Sequence, residues 1–224
     1  MTTIRTVATY EVVQLTHPRP VTERDELGMA VGRAIDTALS RYSHEAGQHL
    51  RPTVTSANRF ASDLLDRELA DADLEVSPAD RERILAQVAG VLAAFRRSEL
   101  FGLPRPRSRL ILINERVGVY AQPDYWDRRS RFYEMKSYRA VPPPPDVALQ
   151  LEYFQLAFAG LAGVLACFDR HATPVETTLV PVPPITEAQA RSALQRAYAI
   201  GLEHGKEKVL EYVDAPTVRY TVEA

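Results

Sequence analysis

From Leu156 to Phe168 the chain runs for thirteen residues of apolar side chains and glycine alone. That is well short of the roughly 20 residues a bilayer-crossing helix needs. Gln150, Glu152 and Gln155 precede the run, and Asp169, Arg170 and His171 follow it. It must therefore be buried by protein, and the remaining elements have to cover it. Joined to the residues before it, the run reads as a central helix over 147–168, apolar on nearly every side.

The other 200 or so residues supply that cover. The chain has 224 residues, 46% hydrophobic and 25% charged, with a formal net charge of -2, which excludes a disordered chain and a strongly basic or acidic tail. Cys167 is the single cysteine, so no intrachain disulfide, all-cysteine zinc site or four-thiolate iron–sulfur cluster can form. Together with an N-terminus that lacks an apolar leader, this reads as a cytoplasmic protein of a reducing compartment.

Periodicity places the other elements. Residues 4–15 mix β-branched residues with threonine and read as extended. Helices are expected over 23–42, where Leu27, Val31, Ile35 and Leu39 recur every four residues, and over 56–69 around Phe60, Leu64 and Leu65. Ser77-Pro78-Ala79-Asp80 is a helix start, opening a stripe that includes Ile84, Val88, Val91 and Phe95. Beyond Pro104 the character changes. Leu110 to Ile113 form an apolar run of strand length, covered on both faces. Residues 117–122 and 131–138 read as two arms of a hairpin about the polar segment Asp127-Arg128-Arg129-Ser130. Further strands are expected over 175–182 and 217–222, and Thr186-Glu187-Ala188-Gln189 opens a helix to about residue 212. No internal repeat is present. The order of elements implies helices packed around a mixed sheet in one domain, mainly helical over 1–104 and sheet-based over 105–224.

The chemistry lies in Gln122-Pro123-Asp124 and, after nine intervening residues, Glu134-Met135-Lys136. With the hairpin turn near Arg129, Asp124 falls opposite Glu134 across antiparallel strands. Two facing carboxylates repel unless something neutralises them, and a hard divalent cation does so with oxygen ligands. Alternation along a strand puts Glu134 and Lys136 on one face, toward a cleft, and Met135 on the other, toward the core.

These residues resemble the P-D…(D/E)-x-K (PD-(D/E)xK) nuclease superfamily, and the span from about Gly28 to Gly160 is similar to its RecB-like branch. The resemblance implies a restriction-endonuclease-like α/β core, a mixed β-sheet flanked by helices with an N-terminal helical elaboration. It implies a DNA nuclease, a hydrolase of phosphodiester bonds that leaves 5′-phosphate and 3′-hydroxyl ends. Asp124, Glu134 and the Met135 carbonyl would bind Mg²⁺ or Mn²⁺, and Lys136 would align the attacking water. Gln150 matches the glutamine of the branch's Q-x-x-x-Y motif, with Phe154 at the tyrosine position and Tyr153 one residue early. The branch's G-x-x-x-H motif meets Gly28-Met29-Ala30-Val31-Gly32, with glycine at the histidine position. Asp36, one turn later, is a replacement in kind, although a solvated helix face is the simpler reading. The iron–sulfur cysteines of some relatives, including the CRISPR adaptation nucleases, are absent. The implied partner is DNA, single- or double-stranded. A helicase or other motor would be a separate chain, since no Walker-type loop is present.

Charge is unevenly placed. Residues 105–139 hold nine Lys and Arg against four Asp and Glu, a net of +5, leaving -7 for the rest. Arg128, Arg129, Arg131 and Arg139 are candidates for phosphate contact; a hairpin tip kept soluble by arginines is the equal alternative. Tyr125 and Trp126 could stack on a base or simply pack. His44, Glu45 and His49 are close in sequence, but without a further ligand they read as a surface turn rather than a zinc site. From other classes, the chain could be an inactive module of the same fold binding nucleic acid or a protein partner, or a metal-free structural protein with solvated hairpin acids.

Overall fold

The computed structural model describes residues 3–18, 22–48, 53–213 and 215–222. In chain order these form β1 (Thr3–Ala8), α1 (Thr9–Thr16), α2 (Glu23–Gly47), α3 (Val54–Asp71), α4 (Pro78–Arg97), β2 (Arg109–Ile113), β3 (Val117–Ala121), β4 (Tyr125–Trp126) and β5 (Arg131–Lys136). They continue with α5 (Pro145–Ala157), β6 (Ala162–Asp169), β7 (Glu176–Pro181), α6 (Glu187–His204), β8 (Lys206–Val209), a 3₁₀ turn (Leu210–Tyr212) and β9 (Thr217–Tyr220). Two mixed sheets are flanked by these six helices. One sheet has the order β8-β1-β3-β2-β9, the other β4-β5-β6-β7.

Local chemistry sets the helix starts. Ser77 Oγ accepts the Asp80 N–H at 3.1 Å with Pro78 in the first turn of α4, and Thr186 caps α6 in the same way through the Gln189 N–H. Each cap satisfies an amide that no helical carbonyl can reach and contributes about 1 kcal/mol.

The apolar run is not one helix. α5 ends at Ala157, and the chain reverses through Gly160, whose φ of +89° suits a residue without a Cβ. It then enters β6, which pairs parallel to β5. A helix and a parallel strand buried on both faces are equally apolar, so periodicity could not separate them. The result is a β5–α5–β6 crossover unit, the usual way to join parallel neighbours.

Three further expectations change. Residues 4–15 divide into β1, which pairs parallel to β3, and the short helix α1. β3 is not the hairpin partner of β5: it pairs with β1 and β2, and the hairpin partner is the two-residue β4. α6 stops at His204, and Lys206–Val209 returns as the edge strand β8 beside β1.

The sheet containing β5 separates two cores. On one face Tyr133 and Met135 pack with α2, α3 and α4 around Ile35, Leu92 and Phe95. On the other, Phe132, Leu165 and Cys167 pack with α5 residues such as Phe154 and Phe158, and that cluster continues to Ile111 and Val119 of the five-stranded sheet. α5 thus lies against both sheets, and its side chains are available to β5. Among the described residues no helix is long and apolar enough to cross a membrane.

Candidate active site

Asp124 precedes β4 by one residue, and the register Tyr125↔Tyr133, Trp126↔Phe132 extends directly to Asp124 opposite Glu134. The expected opposition is therefore present, carried by β4. Where β4 stops, the Asp124 side chain takes over: its Oδ2 accepts the Met135 N–H at 2.8 Å. In an extended strand the N–H and C=O of one residue project to the same edge, so the Met135 carbonyl faces the Asp124 side as well.

Glu134 and Lys136 point together to the α5 face. Lys136 Nζ donates to Glu134 Oε1 at 2.6 Å and to Gln150 Oε1 of α5 at 3.1 Å. Met135 turns the other way into the core, as alternation requires. Glu134 is 3% exposed, so its charge is costly. Burial, followed by the Asp124 carboxylate, pushes its carboxyl up to about 8, with Lys136 offsetting only part of this. Burial also works against the Lys136 ammonium, but Glu134 and Asp124 outweigh it and hold that group above the ordinary lysine range.

A cleft of about 810 Å³ opens beside these residues. Asp124 and Met135 line it from the strand side, and the polar face of α2 forms another wall from Asp36 to Gln48. Glu134 and Lys136 lie behind this lining rather than on it, so the charged pair does not face the cleft as alternation alone suggested; it meets Asp124 at the open edge of β5.

Asp36 lies on an exposed face of α2, as the simpler reading had it, and that face also lines the cleft beside Asp124. It remains accessible to water, yet the crowding of the cleft, followed by Asp124, pushes its carboxyl up to about 7 against the pull of Lys136, Arg105 and Arg170. The four-residue spacing Gly28, Gly32, Asp36 was the available signal, because it puts all three on one side of a helix. Gly28 meets Arg170, and a Cβ at Gly32 would find nothing within 4 Å. Arg105 was also missed as a site residue; its guanidinium stands 4.0 Å from Asp124.

The remaining candidates fall in different places. Phe154 and Gln150 share a face of α5, and Phe154 packs edge-on to Phe132 at 6.2 Å. Tyr153 points away and donates to the Ala193 carbonyl of α6 at 2.9 Å. Arg128 lines the cleft, Arg129 and Arg139 are exposed outside its lining, and Arg131 lies 3.8 Å from Glu99. Tyr125 and Trp126 pack, against Phe95 at 5.4 Å and Phe158 at 6.3 Å. His44 and Glu45 lie within α2 rather than in a turn, and His49 is outside the described residues.

The donor set suits a hard cation: two carboxylates and a backbone carbonyl, oxygen throughout. Burial first, and the Asp124 carboxylate second, disfavour the charged form of Glu134, and a bound cation would favour it. Among the described residues, no three His, Cys, Asp or Glu side chains already converge as a metal cage.

No protein-family model matches the sequence, and no curated protein matches it. Among solved structures, the chain is similar to a protein named "Putative exonuclease" from Eubacterium rectale, at 11% identity and a TM-score of 0.42, over 73% of each chain. It is also similar to the protein SSO0001, at 13% identity and a TM-score of 0.37, over 78% of this chain and 88% of that one.

Proposed function

We propose that the protein is a cytoplasmic, metal-dependent DNA nuclease of the RecB-like P-D…(D/E)-x-K type, hydrolysing phosphodiester bonds. One observation carries the reading: Asp124 is anchored to the backbone of Met135, opposite Glu134, while Lys136 bridges Glu134 and Gln150. Order in sequence and arrangement in space agree at four positions.

Asp124, Glu134 and the Met135 carbonyl would hold Mg²⁺ or Mn²⁺, which when bound polarises the phosphoryl group and stabilises the departing oxygen. Gln150 and Glu134 fix the direction of the Lys136 ammonium. That ammonium would align an attacking water at the open edge of β5, where the pair meets Asp124 behind the cleft lining, and being held by two acceptors it loses little freedom in doing so. Asp36 of α2 adds negative charge to the same cleft beside Asp124. Cleavage leaves a 5′-phosphate and a 3′-hydroxyl.

The test is cleavage of labelled single- and double-stranded DNA with Mn²⁺ by the wild type, Glu134→Gln and Lys136→Gln. Turnover by the wild type, with losses of about 10²-fold or more in both variants, is the expected result. Equal activity in all three would overturn it. A second reading, a non-hydrolysing module that binds nucleic acid or a protein partner, is favoured by the missing side chain at Gly32. DNA binding without cleavage at saturating Mn²⁺ would select it.

A further inference from the structure

The cleft is lined by three guanidinium groups and two carboxylates, and the positions of the three separate one group of arginines from the others that the sequence singles out. Arg128 is set by a built turn. Asp127 Oδ1 accepts the backbone N–H groups of Arg129, Ser130 and Arg131 at 2.8, 2.7 and 2.9 Å, and Arg128 takes a φ of +64° within that turn. Arg128 lines the cleft, and among the described residues no carboxylate pairs with it. Arg105 stands on the 103–105 segment beside Asp124. Across from them is α2. Arg41 is held there by its Nε, which donates to Glu45 at 2.8 Å, and by the Phe60 ring 4.2 Å from its guanidinium carbon. An arginine restrained through Nε keeps its terminal nitrogens for another acceptor.

The wall is fixed and directional. Buried Ser43 donates to the Leu103 carbonyl at 2.9 Å, tying α2 to the segment that carries Arg105. Asp36, Ser40, His44 and Gln48 follow one another at four-residue spacing along the lining. At 1.5 Å rise per residue they span about 18 Å. The acidic end of this row lies beside Asp124, and the polar and basic positions lead away from it.

We propose that this cleft is a track for the DNA phosphate backbone, with Arg41 of α2 on one side and Arg105 and Arg128 on the other. The proposal rests on the nuclease reading and deepens it. It assigns phosphate contact to two arginines that the sequence did not single out and removes Arg129 and Arg139, which stand outside the lining. Arg131 is excluded on the same ground, since it too stands outside the lining. The cations offset the repulsion that Asp36 and Asp124 exert on a phosphate, so a strand can approach the acids.

The experiment is fluorescence anisotropy with a labelled single-stranded 20-mer in EDTA, over a salt series, so that binding is read without turnover. Arg41→Gln, Arg105→Gln and Arg128→Gly should each raise Kd about 3- to 10-fold and lower the salt slope by about 0.7. Arg129→Gln and Arg139→Gln should stay within about twofold of the wild type. Glycine at position 128 accepts the left-handed backbone, and thermal unfolding of each variant checks the fold. Weaker binding in the Arg129 and Arg139 variants, with the three cleft variants unchanged, would overturn the track and leave the nuclease reading standing. A wild type that neither binds nor cleaves DNA would overturn both.

Discussion

Asp124 and Met135 are joined by a side-chain-to-backbone hydrogen bond of 2.8 Å at the point where the β4–β5 ladder ends. One Asp124 oxygen is thus used structurally, and the other faces Arg105. The two duties can be separated by substitution. Asp124→Asn keeps an acceptor for the Met135 N–H and should change stability by less than about 0.5 kcal/mol, whereas Asp124→Ala leaves that amide unpaired and should cost about 1 kcal/mol or more. Both should abolish Mn²⁺ binding in calorimetric titration. Equal unfolding midpoints for the two variants would refute the structural duty.

Cation binding should be strongly pH-dependent. With Glu134 pushed up to about 8 and Asp36 to about 7, both must release protons to act as carboxylates. Mn²⁺ affinity should therefore rise between pH 6 and pH 8.5, with proton release visible as a dependence of the binding heat on the buffer. Flat affinity across that range would contradict the prediction.

Stability of the metal-free protein should run the opposite way. Glu134 has a folded-state pKa above its unfolded value of 4.5, so its contribution is fully present below pH 4.5 and is lost as pH rises through about 8. Glu134→Gln should remove this loss, raising the unfolding midpoint at pH 8 by roughly 2–4 °C while eliminating activity. A lower midpoint for the variant at pH 8 would show that the Lys136 contact outweighs the burial cost.

Gln150→Ala should separate positioning from metal binding. Gln150 touches Lys136 and neither acid, so turnover should fall about 10- to 100-fold while Mn²⁺ affinity stays within about twofold. Comparable losses in both quantities would place Gln150 in the metal site instead.

Gly32 offers a test independent of catalysis. Open space surrounds its missing Cβ inside α2, so Gly32→Ala should gain about 0.5–1 kcal/mol from helix propensity alone, and Gly32→His should fold. Denaturant unfolding measures the first, and a soluble Gly32→His protein with wild-type circular dichroism satisfies the second.

What the sequence made legible was local. The opposition of Asp124 and Glu134 follows from spacing across one turn, whereas the placing of Gln150 near Lys136 came only from the resemblance to the nuclease motif. Long-range pairing was not legible. Nothing in residues 117–121 states that their neighbours are β1 and β2, because a strand's alternation is the same whichever strand it pairs with. The 156–168 run divided at a glycine that could equally have sat inside a helix. Asp36 needed the packing of α2 over the sheet, which the helical period orients only relative to the helix itself.

β4 is two residues long, and Pro123, which lacks an N–H, stands two residues before it. The proline denies the ladder its next donor, so the edge of β5 at Met135 stays open to a side chain rather than to another strand. Were the pairing to continue backward for one more pair of rungs, backbone would fill the gap into which Asp124 reaches. The opening at the acids is thus an interruption in a sheet, maintained by a ring on the main chain, and the Pro-Asp pair is a stop followed by what the stop exposes.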